Sequence, residues 1–213
     1  MNKWSQEDER FMQRALAIAR RAVGRVEPNP MVGCVLVKRG RKVGEGHHRD
    51  FGGPHAEVNA ITSAGNAAKG ATAYVTLEPC CHHGKTPPCT EALIRSGVVS
   101  VIAAMKDPNP LVAGKGLRRL RAAGIITRVG LLERGAESLT APFVTCQTRK
   151  RPYIILKWAQ SLDGKIATRT GDSQWITSLA SRRESHRLRA RVDAIVVGVE
   201  TVLADDPELT ARH

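Results

Sequence analysis

Segments with strand and helix patterns alternate between residues 55 and 129, and this alternation constrains the fold more than any other feature. The sequence predicts helices over 55–65 and 116–123, and a further one that starts at Pro87 and Pro88 and is completed by residues 90–97. Short apolar runs between them predict buried strands over 71–77, 98–105 and 125–129. Strands that alternate with helices lie parallel in one sheet that the helices cover, so the predicted class is α/β.

The residues before this alternation predict a helix and a β-hairpin. Ser5 and Asp8 resemble a capping box, and apolar residues then recur at helical spacing as far as Gly24. The run over 32–37 predicts a strand, and residues 39–46 turn the chain back into a second, shorter strand. A further helix over 133–145 is expected to pack on the end of this domain.

A second pattern begins after a polar and basic stretch that a proline closes. We expect a first domain over 1–145, a linker over 146–152 and a second domain over 153–213. The second domain is predicted to contain, in order, a strand over 153–159, a helix over 178–192 and a strand over 193–201. So short a segment buries too little apolar surface to be stable alone, so we interpret it as the incomplete beginning of a larger domain.

The chain is strongly basic, with 33 Lys and Arg residues against 20 Asp and Glu residues. A net charge of +13 favours a nucleic acid or a phosphorylated small molecule as partner, or reflects a solvated basic surface. Three Trp, two Tyr and three Phe are few for platforms that stack bases. We therefore expect a phosphorylated small-molecule substrate and no nucleic acid.

The lengths of the apolar runs and the number of cysteines indicate the cellular location of the protein. No apolar run approaches the roughly 20 residues that span a bilayer, and the acidic first helix is unlike a signal or transit peptide. Five cysteines, an odd number, argue against a disulfide framework and for thiols or metal ligands. We expect a cytoplasmic protein without a membrane partner, and homo-oligomer formation stays open.

Three cysteines and two histidines lie within LEPCCHHGKTPPC, residues 77–89, directly after a predicted strand. PHAEV, residues 54–58, places His55 and Glu57 at the start of a predicted helix. The N-termini of this helix and of the one after the cluster would face one spot and favour thiolate over thiol there. Zinc deaminases of nucleobases use one His and two Cys beside a Glu that moves protons, although their cysteines are more closely spaced.

Charge balance supports such a ligand set here. His55, Cys80 and Cys89 would balance Zn²⁺ with two thiolates and leave a fourth position for a water whose pKa falls to about 7. Glu57 is the expected catalytic residue, because it lies close enough to accept that water's proton. Cys80 is preferred over Cys81 because it directly follows a proline at the end of the strand, and adjacent residues seldom share one ion.

A closed structural zinc site is the alternative to a catalytic one. Such a site needs a fourth protein ligand, which His82 or His83 could supply. In a non-catalytic zinc module of this kind, the replacement of Glu57 by glutamine would leave every phenotype unchanged.

Four motifs of the first half, HAEVNA, YVTLEPCCHHGKTPPC, MKDPNPLVAGKG and PNPMVGCVLV, resemble the deaminase domain of the bacterial bifunctional riboflavin-biosynthesis deaminase/reductase family. ILKWAQSLDGKIA, DSQWITS and TVLADDPELTAR resemble the opening third of that family's reductase domain. The resemblance covers essentially the whole chain. It implies a cytidine-deaminase-like three-layer α/β/α domain with a mixed sheet, followed by the beginning of a dihydrofolate-reductase-like α/β domain.

The resemblance also implies a reaction in riboflavin biosynthesis. It is the zinc-dependent hydrolytic deamination of 2,5-diamino-6-ribosylamino-4(3H)-pyrimidinone 5′-phosphate to 5-amino-6-ribosylaminouracil 5′-phosphate. The family pattern places zinc on His55, Cys80 and Cys89 and proton transfer on Glu57. The positions that match deaminase substrate contacts are Asn29, His48, His82 and Lys85, of which the lysine suits a phosphate.

In this family the complete second domain reduces the ribose to ribityl with NADPH. The positions that match NADP contacts are Ala159, Trp175, Thr201 and Asp205. The positions that match substrate contacts of the reductase are Ser173, Arg189, Leu209 and Arg212. Because by analogy a complete reductase needs many more residues, we expect this chain to deaminate without reducing.

A deaminase that acts on nucleic acid is the competing function. The basic charge and the deaminase chemistry favour it, whereas the few aromatic residues and the reductase-like second half count against it. The pattern assigns no role to Cys81, His83 or Cys146.

Overall fold

The computed structural model describes residues 4–110 and 112–212, which fall into two compact units that divide between Tyr153 and Ile154. The predicted outer ends of the two domains, residues 1 and 213, lie outside the described residues. None of the helices in the described residues is both long enough and apolar enough to cross a membrane.

The first unit is built on a five-stranded mixed sheet with the strand order β2-β1-β3-β4-β5. The strands are β1 (Gly33–Lys38), β2 (Arg41–His47), β3 (Thr72–Val75), β4 (Ser100–Ala103) and β5 (Ile126–Val129). Strand β1 pairs antiparallel with both β2 and β3, while β3, β4 and β5 are parallel to one another. The hairpin, the parallel strands and the mixed sheet predicted for this half are confirmed.

In the described residues, the first unit has six α-helices. They are α1 (Gln6–Ala19), α2 (Ala56–Ala64), α3 (Cys89–Ser96), α4 (Lys115–Ala122), α5 (Glu133–Leu139) and α6 (Ala141–Arg149). The predictions for the first four are confirmed, and the capping box that begins α1 is formed by Ser5 and Asp8.

The single helix predicted over 133–145 is wrong, because the structure divides it at Thr140. Pro142 lies in the first turn of α6, where a proline costs no helical hydrogen bond, whereas inside one continuous helix it would remove one. Helix α6 continues to Arg149, so the first four residues of the predicted linker are helical.

The side chains of alternate strand residues point to opposite faces of the sheet and form two apolar layers, one on each face. On strand β1, Cys34 and Leu36 face the layer beneath α2, α3 and α4, while Val35 and Val37 face the layer beneath α1 and α5. Because both faces are covered by helices, the predicted three-layer α/β/α arrangement is confirmed.

Helix α2 lies directly on strand β2, because two glycines leave no side chain between them. A Cβ atom on Gly46 would lie 2.4 Å from the backbone nitrogen of Ala60, and one on Gly44 would lie 2.5 Å from its carbonyl oxygen. Larger residues would push the helix away from the sheet. This contact fixes the start of α2, which carries His55 and Glu57.

Within residues 154–212, the second unit contains two helices, α7 (Leu179–Arg189) and α8 (Val199–Asp205). The helix predicted over 178–192 is confirmed, and Ser178 caps its N-terminus. The strands predicted over 153–159 and 193–201 are wrong, since neither segment is a strand and the second runs into α8. A strand is held by ladder hydrogen bonds, and no described residue supplies a ladder to either segment.

An ion-pair network joins α1 to strand β2 and gives a pH-dependent contribution to stability. Arg14 donates two hydrogen bonds to Glu45, of 2.9 and 2.6 Å, and Lys42 donates a third of 2.9 Å. The hydrogen bonds from Arg14 are the main reason that the pKa of Glu45 falls to about 2. The ionised carboxylate therefore stabilises the folded protein above the ordinary pKa of glutamate.

Replacement of Glu45 by glutamine is expected to lower the free energy of unfolding at pH 7 by up to about 1 kcal/mol. Because the pKa is lowered on folding, the difference from the wild type should shrink as the pH falls from about 4.5 towards about 2. Urea denaturation at several pH values measures it, with the exposed Glu137→Gln as control. A difference that grows on acidification would contradict the assignment.

Candidate metal centre

The three predicted metal ligands come together from separate elements. His55 is the N-cap of α2, Cys80 lies in the loop after β3, and Cys89 is the first residue of α3. Their ligand atoms all lie within 4.8 Å of one another. The Nδ1 atom of His55 is 3.2 Å from the Sγ atom of Cys89 and 3.6 Å from that of Cys80.

The charges of this cluster favour a divalent cation. A hydrogen bond from the Cys89 thiol is the main reason that the pKa of Cys80 falls to about 4, and the same contact raises the pKa of Cys89. The backbone N–H of Cys89, at the N-terminus of α3, also donates to the Cys80 sulfur at 3.2 Å. The two sulfurs thus share a proton beside an imidazole, and a zinc ion can replace that proton because it binds two thiolates at once.

The second nitrogen of His55 lies beside a hydroxyl group. Nε2 lies 3.4 Å from the Oγ1 atom of Thr86, a half-buried residue of the loop before α3. If Nε2 keeps its proton and donates it to Thr86, Nδ1 is free to bind a metal on the side of the two sulfurs. This contact orients the ring towards the cluster.

Glu57 is buried beside the three ligands, in the first turn of α2. Burial, together with the negative charge of Cys80, raises the pKa of Glu57 to about 7. A carboxyl group with a pKa near neutrality both accepts and donates protons readily at the pH of the cell.

The other candidate ligands of the crowded stretch lie away from the cluster. Within the described part of the chain, the metal-binding group consists of His55, Cys80 and Cys89 alone. His83 is exposed and lies 3.8 Å from the carboxylate of Glu91. The structure therefore offers no fourth protein ligand from His82 or His83, which counts against a closed structural site.

A pocket of about 270 Å³ opens beside the cluster, and His55, Glu57 and Cys80 form part of its lining. All four residues predicted to contact the deaminase substrate line the same pocket: Asn29, His48, His82 and Lys85. The structure thus brings together residues that are up to 56 positions apart in the sequence, from 29 to 85.

His48 and Asn29 form one wall of the pocket. The Nδ1 atom of His48 lies 3.2 Å from the carbonyl oxygen of Pro54, and its Nε2 atom lies 3.5 Å from the Nδ2 atom of Asn29. Burial lowers the pKa of His48, so the ring is neutral at pH 7. A neutral ring with Nδ1–H donating to the carbonyl leaves Nε2 as an acceptor.

Lys85 lies in the loop before α3, with its ammonium group 3.8 Å from the centre of the Phe51 ring. The aromatic face attracts the cation and holds the side chain at the pocket. Phe51 itself lines the pocket, and the sequence pattern assigned it no role.

The sequence pattern also missed residues that follow strand β4. Asp107 and Asn109 line the pocket, and burial raises the pKa of Asp107 to about 6. The signal for them was present, because parallel strands β3 and β4 end at the same edge of the sheet and ligands bind at that edge in α/β folds. The cluster follows β3 there, so the residues after β4 had to lie close to it.

Two family models match the chain. The cytidine and deoxycytidylate deaminase zinc-binding region matches residues 5–105, and the RibD C-terminal domain matches residues 152–213. Riboflavin biosynthesis protein RibD of Aquifex aeolicus is 56% identical over 96% of this chain, and that of Escherichia coli is 55% identical over 97%. Nearly the whole chain is thus similar to RibD proteins.

Solved structures show the same similarity. The deaminase/reductase of Thermotoga maritima superimposes with a TM-score of 0.90 at 49% identity, and covers 97% of this chain. The chain spans 58% of the Aquifex aeolicus relative, 56% of the Escherichia coli relative and 59% of the Thermotoga maritima structure.

The residues that match the reductase of the RibD family lie in the second unit, and they are only partly assembled. Arg189 at the end of α7 donates to the carbonyl oxygen of Thr210 at 3.3 Å, and the backbone N–H of Arg212 donates to His186 at 3.0 Å. These contacts hold Thr210 and Arg212 against the C-terminal part of α7, which carries His186 and Arg189, and Leu209 directly precedes them in the chain.

The remaining reductase positions are mostly exposed. Trp175 is exposed, with the guanidinium group of Arg182 lying 4.0 Å over its ring, and Ser173 is exposed two residues before it. The predicted NADP positions Thr201 and Asp205 lie on exposed parts of α8, and Ala159 is half-buried in the irregular segment before α7.

Replacement of Thr86 by valine should weaken zinc binding about tenfold, because outer partners of metal-binding histidines contribute about that much to affinity. Valine keeps the shape of the side chain and removes the oxygen beside Nε2 of His55. Competition with a zinc chelator measures the affinity.

Thr127→Val is the matched control, because the Oγ1 atom of Thr127 accepts from Arg121 on the exposed side of β5. Equal zinc affinity in Thr86→Val and the wild type would mean that Thr86 does not orient the ligand.

Proposed function

We propose that the first unit is a zinc-dependent deaminase of riboflavin biosynthesis. Its substrate is 2,5-diamino-6-ribosylamino-4(3H)-pyrimidinone 5′-phosphate, and its products are 5-amino-6-ribosylaminouracil 5′-phosphate and ammonia. The observation that carries the proposal is the His55, Cys80 and Cys89 cluster, with the buried Glu57 beside it, at the wall of a pocket. Its similarity to RibD proteins supports the choice of substrate.

The chemistry requires water to replace an amino group on a pyrimidine ring. A bound zinc ion supplies a Lewis acid and lowers the pKa of a water molecule towards neutrality. Glu57 takes a proton from the water while the oxygen of the water forms a bond to the ring carbon. Glu57 then gives that proton to the amino group, the carbon–nitrogen bond breaks, and ammonia leaves. A pKa of about 7 suits Glu57 to both steps.

The pocket offers polar groups at the places where such a substrate needs them. Asn29, with an amide, and His48, with a neutral ring, can hydrogen-bond the edge of a planar heterocycle. Lys85 provides a positive charge for the 5′-phosphate, and His82 lies on the same loop. A pocket of about 270 Å³ has room for one heterocyclic base.

A nucleic-acid-acting deaminase is the second candidate, because the net charge is +13. Such enzymes take one base out of the stack and hold the flanking strand on a charged, aromatic surface. We propose instead a free phosphorylated pyrimidine, and ammonia release from the ribotide but not from single-stranded oligonucleotides separates the two. The proposal also includes a cytoplasmic location for the protein, no membrane partner, and a homo-oligomer as one possible state of assembly.

Replacement of Glu57 by glutamine should reduce ammonia release by at least about a thousandfold, because the amide cannot take up a proton from water. Zinc content should stay near one ion per chain, since the ligands are untouched. Ammonia assay and metal analysis of the same sample measure both.

Glu91→Gln is the matched control, because Glu91 lies in the first turn of α3 as Glu57 lies in that of α2, but pairs with Arg119 on the outer face. Loss of zinc in Glu57→Gln would show that Glu57 supports the metal. An active Glu57→Gln variant would exclude its role in proton transfer.

NADPH belongs to the complete family protein, and we propose that the purified chain alone does not turn it over. The described residues of the second unit, 154–212, form no strand, and the predicted NADP positions Trp175, Thr201 and Asp205 are exposed. Absorbance at the NADPH band, followed while the deaminated product is present, should not change. NADPH oxidation that depends on this product would contradict the proposal.

A further inference from the structure

We infer that Glu78, which takes no part in the proposed chemistry, is a positioning residue that holds the β4–α4 loop against the substrate pocket. The β4–α4 loop comprises residues 104–114, of which 111 lies outside the described residues. The inference rests on the proposed function, because it assigns Glu78 to substrate binding in that pocket.

Glu78 is a buried carboxylate, with 2% of its surface exposed, and it accepts three backbone hydrogen bonds. Its Oε2 atom accepts from Gly114 at 2.8 Å and from Asp107 at 3.3 Å, and its Oε1 atom accepts from Leu117 at 3.1 Å. Both oxygens are therefore occupied, and all three donors lie in the β4–α4 loop or the first turn of α4.

The position of Glu78 replaces a cap that the sequence of α4 lacks. The N-cap of α4 is Gly114, which has no side chain to accept the free N–H groups of the first turn. Glu78 accepts from one of them, the N–H of Leu117, and from the N–H of Gly114 itself. A negative charge at a helix N-terminus is also favoured by the helix dipole.

Glu78 also links the segment that carries Cys80 to the β4–α4 loop on the other side of the pocket. Glu78 lies two residues before Cys80, and its own backbone N–H donates to the carbonyl oxygen of Met105 at 3.0 Å. Through Asp107 it reaches Asn109, whose backbone N–H donates to the Asp107 carboxylate at 2.8 Å. Asp107, Asn109 and Glu78 all line the pocket.

The backbone at the start of α4 also lies close to the backbone of Pro79, the residue after Glu78. A Cβ atom on Gly116 would lie 2.0 Å from the carbonyl oxygen of Pro79, so only glycine allows this contact. The start of α4 is thus held against Pro79 by this close approach, and the β4–α4 loop before it is held by the Glu78 carboxylate.

Glu78→Gln tests the inference, because glutamine keeps the shape and leaves one acceptor oxygen in place of two. Its NH₂ group would face either the N–H of Leu117 or those of Gly114 and Asp107, so one side of the contact is lost. The KM for the pyrimidine ribotide should rise at least about tenfold, with a smaller fall in kcat. Zinc content should stay near one ion per chain.

A second readout does not depend on the substrate. Amide hydrogen exchange at Gly114 or at Leu117, whichever amide faces the NH₂ group of the glutamine, should be faster in Glu78→Gln than in the wild type, because that amide loses its acceptor. Glu78→Asp keeps the charge but is one methylene shorter, and should fall between the two in KM and in exchange. If Glu78→Gln does not fold, Glu78→Asp carries the test with the same readouts.

Glu45→Gln is the matched control, since it also removes a carboxylate that accepts several hydrogen bonds, but on strand β2. It should change stability without changing KM or the exchange of Gly114 and Leu117. A KM that rises equally in both variants would mean a general loss of stability and would overturn the inference.

The other outcomes are equally decisive. Loss of zinc in Glu78→Gln would show that Glu78 supports the metal segment rather than the pocket, and would overturn the inference. Unchanged exchange at Gly114 and Leu117 would do the same. If the wild type releases no ammonia from the ribotide, the proposed function fails, and the exchange measurement alone decides whether Glu78 holds the loop.

Discussion

The short contact between two cysteine sulfurs and one imidazole is the constraint on which the rest of the first unit depends. Cys80 and Cys89 lie next to each other only because the loop after β3 and the start of α3 meet at the same edge of the sheet. The N-terminal amide of α3 stabilises the Cys80 thiolate, and His55 at the start of α2 completes the donor set. Three separate elements must hold their places for one metal to bind.

The same edge of the sheet gathers buried carboxylates, which are costly unless each has a compensating partner. Burial raises the pKa of Glu57, so this carboxyl group can hold a proton beside the cluster instead of a charge. The Glu78 carboxylate is compensated by three backbone N–H donors, and these hydrogen bonds also order the β4–α4 loop. Two acids about twenty residues apart in the chain thus take different roles because their surroundings differ.

Much of the first unit could be predicted from sequence, because hydrophobic periodicity depends on local spacing alone. The strands, the four helices from α1 to α4, and the ligands His55, Cys80 and Cys89 all follow from such patterns and from a known motif. The division at Thr140 was missed because Pro142 fits both a helix start and a loop. The strands predicted over 153–159 and 193–201 failed because apolar runs specify a strand only where a neighbour completes the ladder.

By itself, the sequence determined the elements, the chemical types of the metal ligands and the glutamate that accompanies them, since these depend on residue identity and short spacing. Only the tertiary structure brings the three predicted ligands from separate segments to one point, because their meeting depends on where β3 ends and where α2 and α3 begin in space. It also decided that Thr86, Asp107 and Glu78 belong to the site. Their contacts join distant segments, and no local pattern records such contacts.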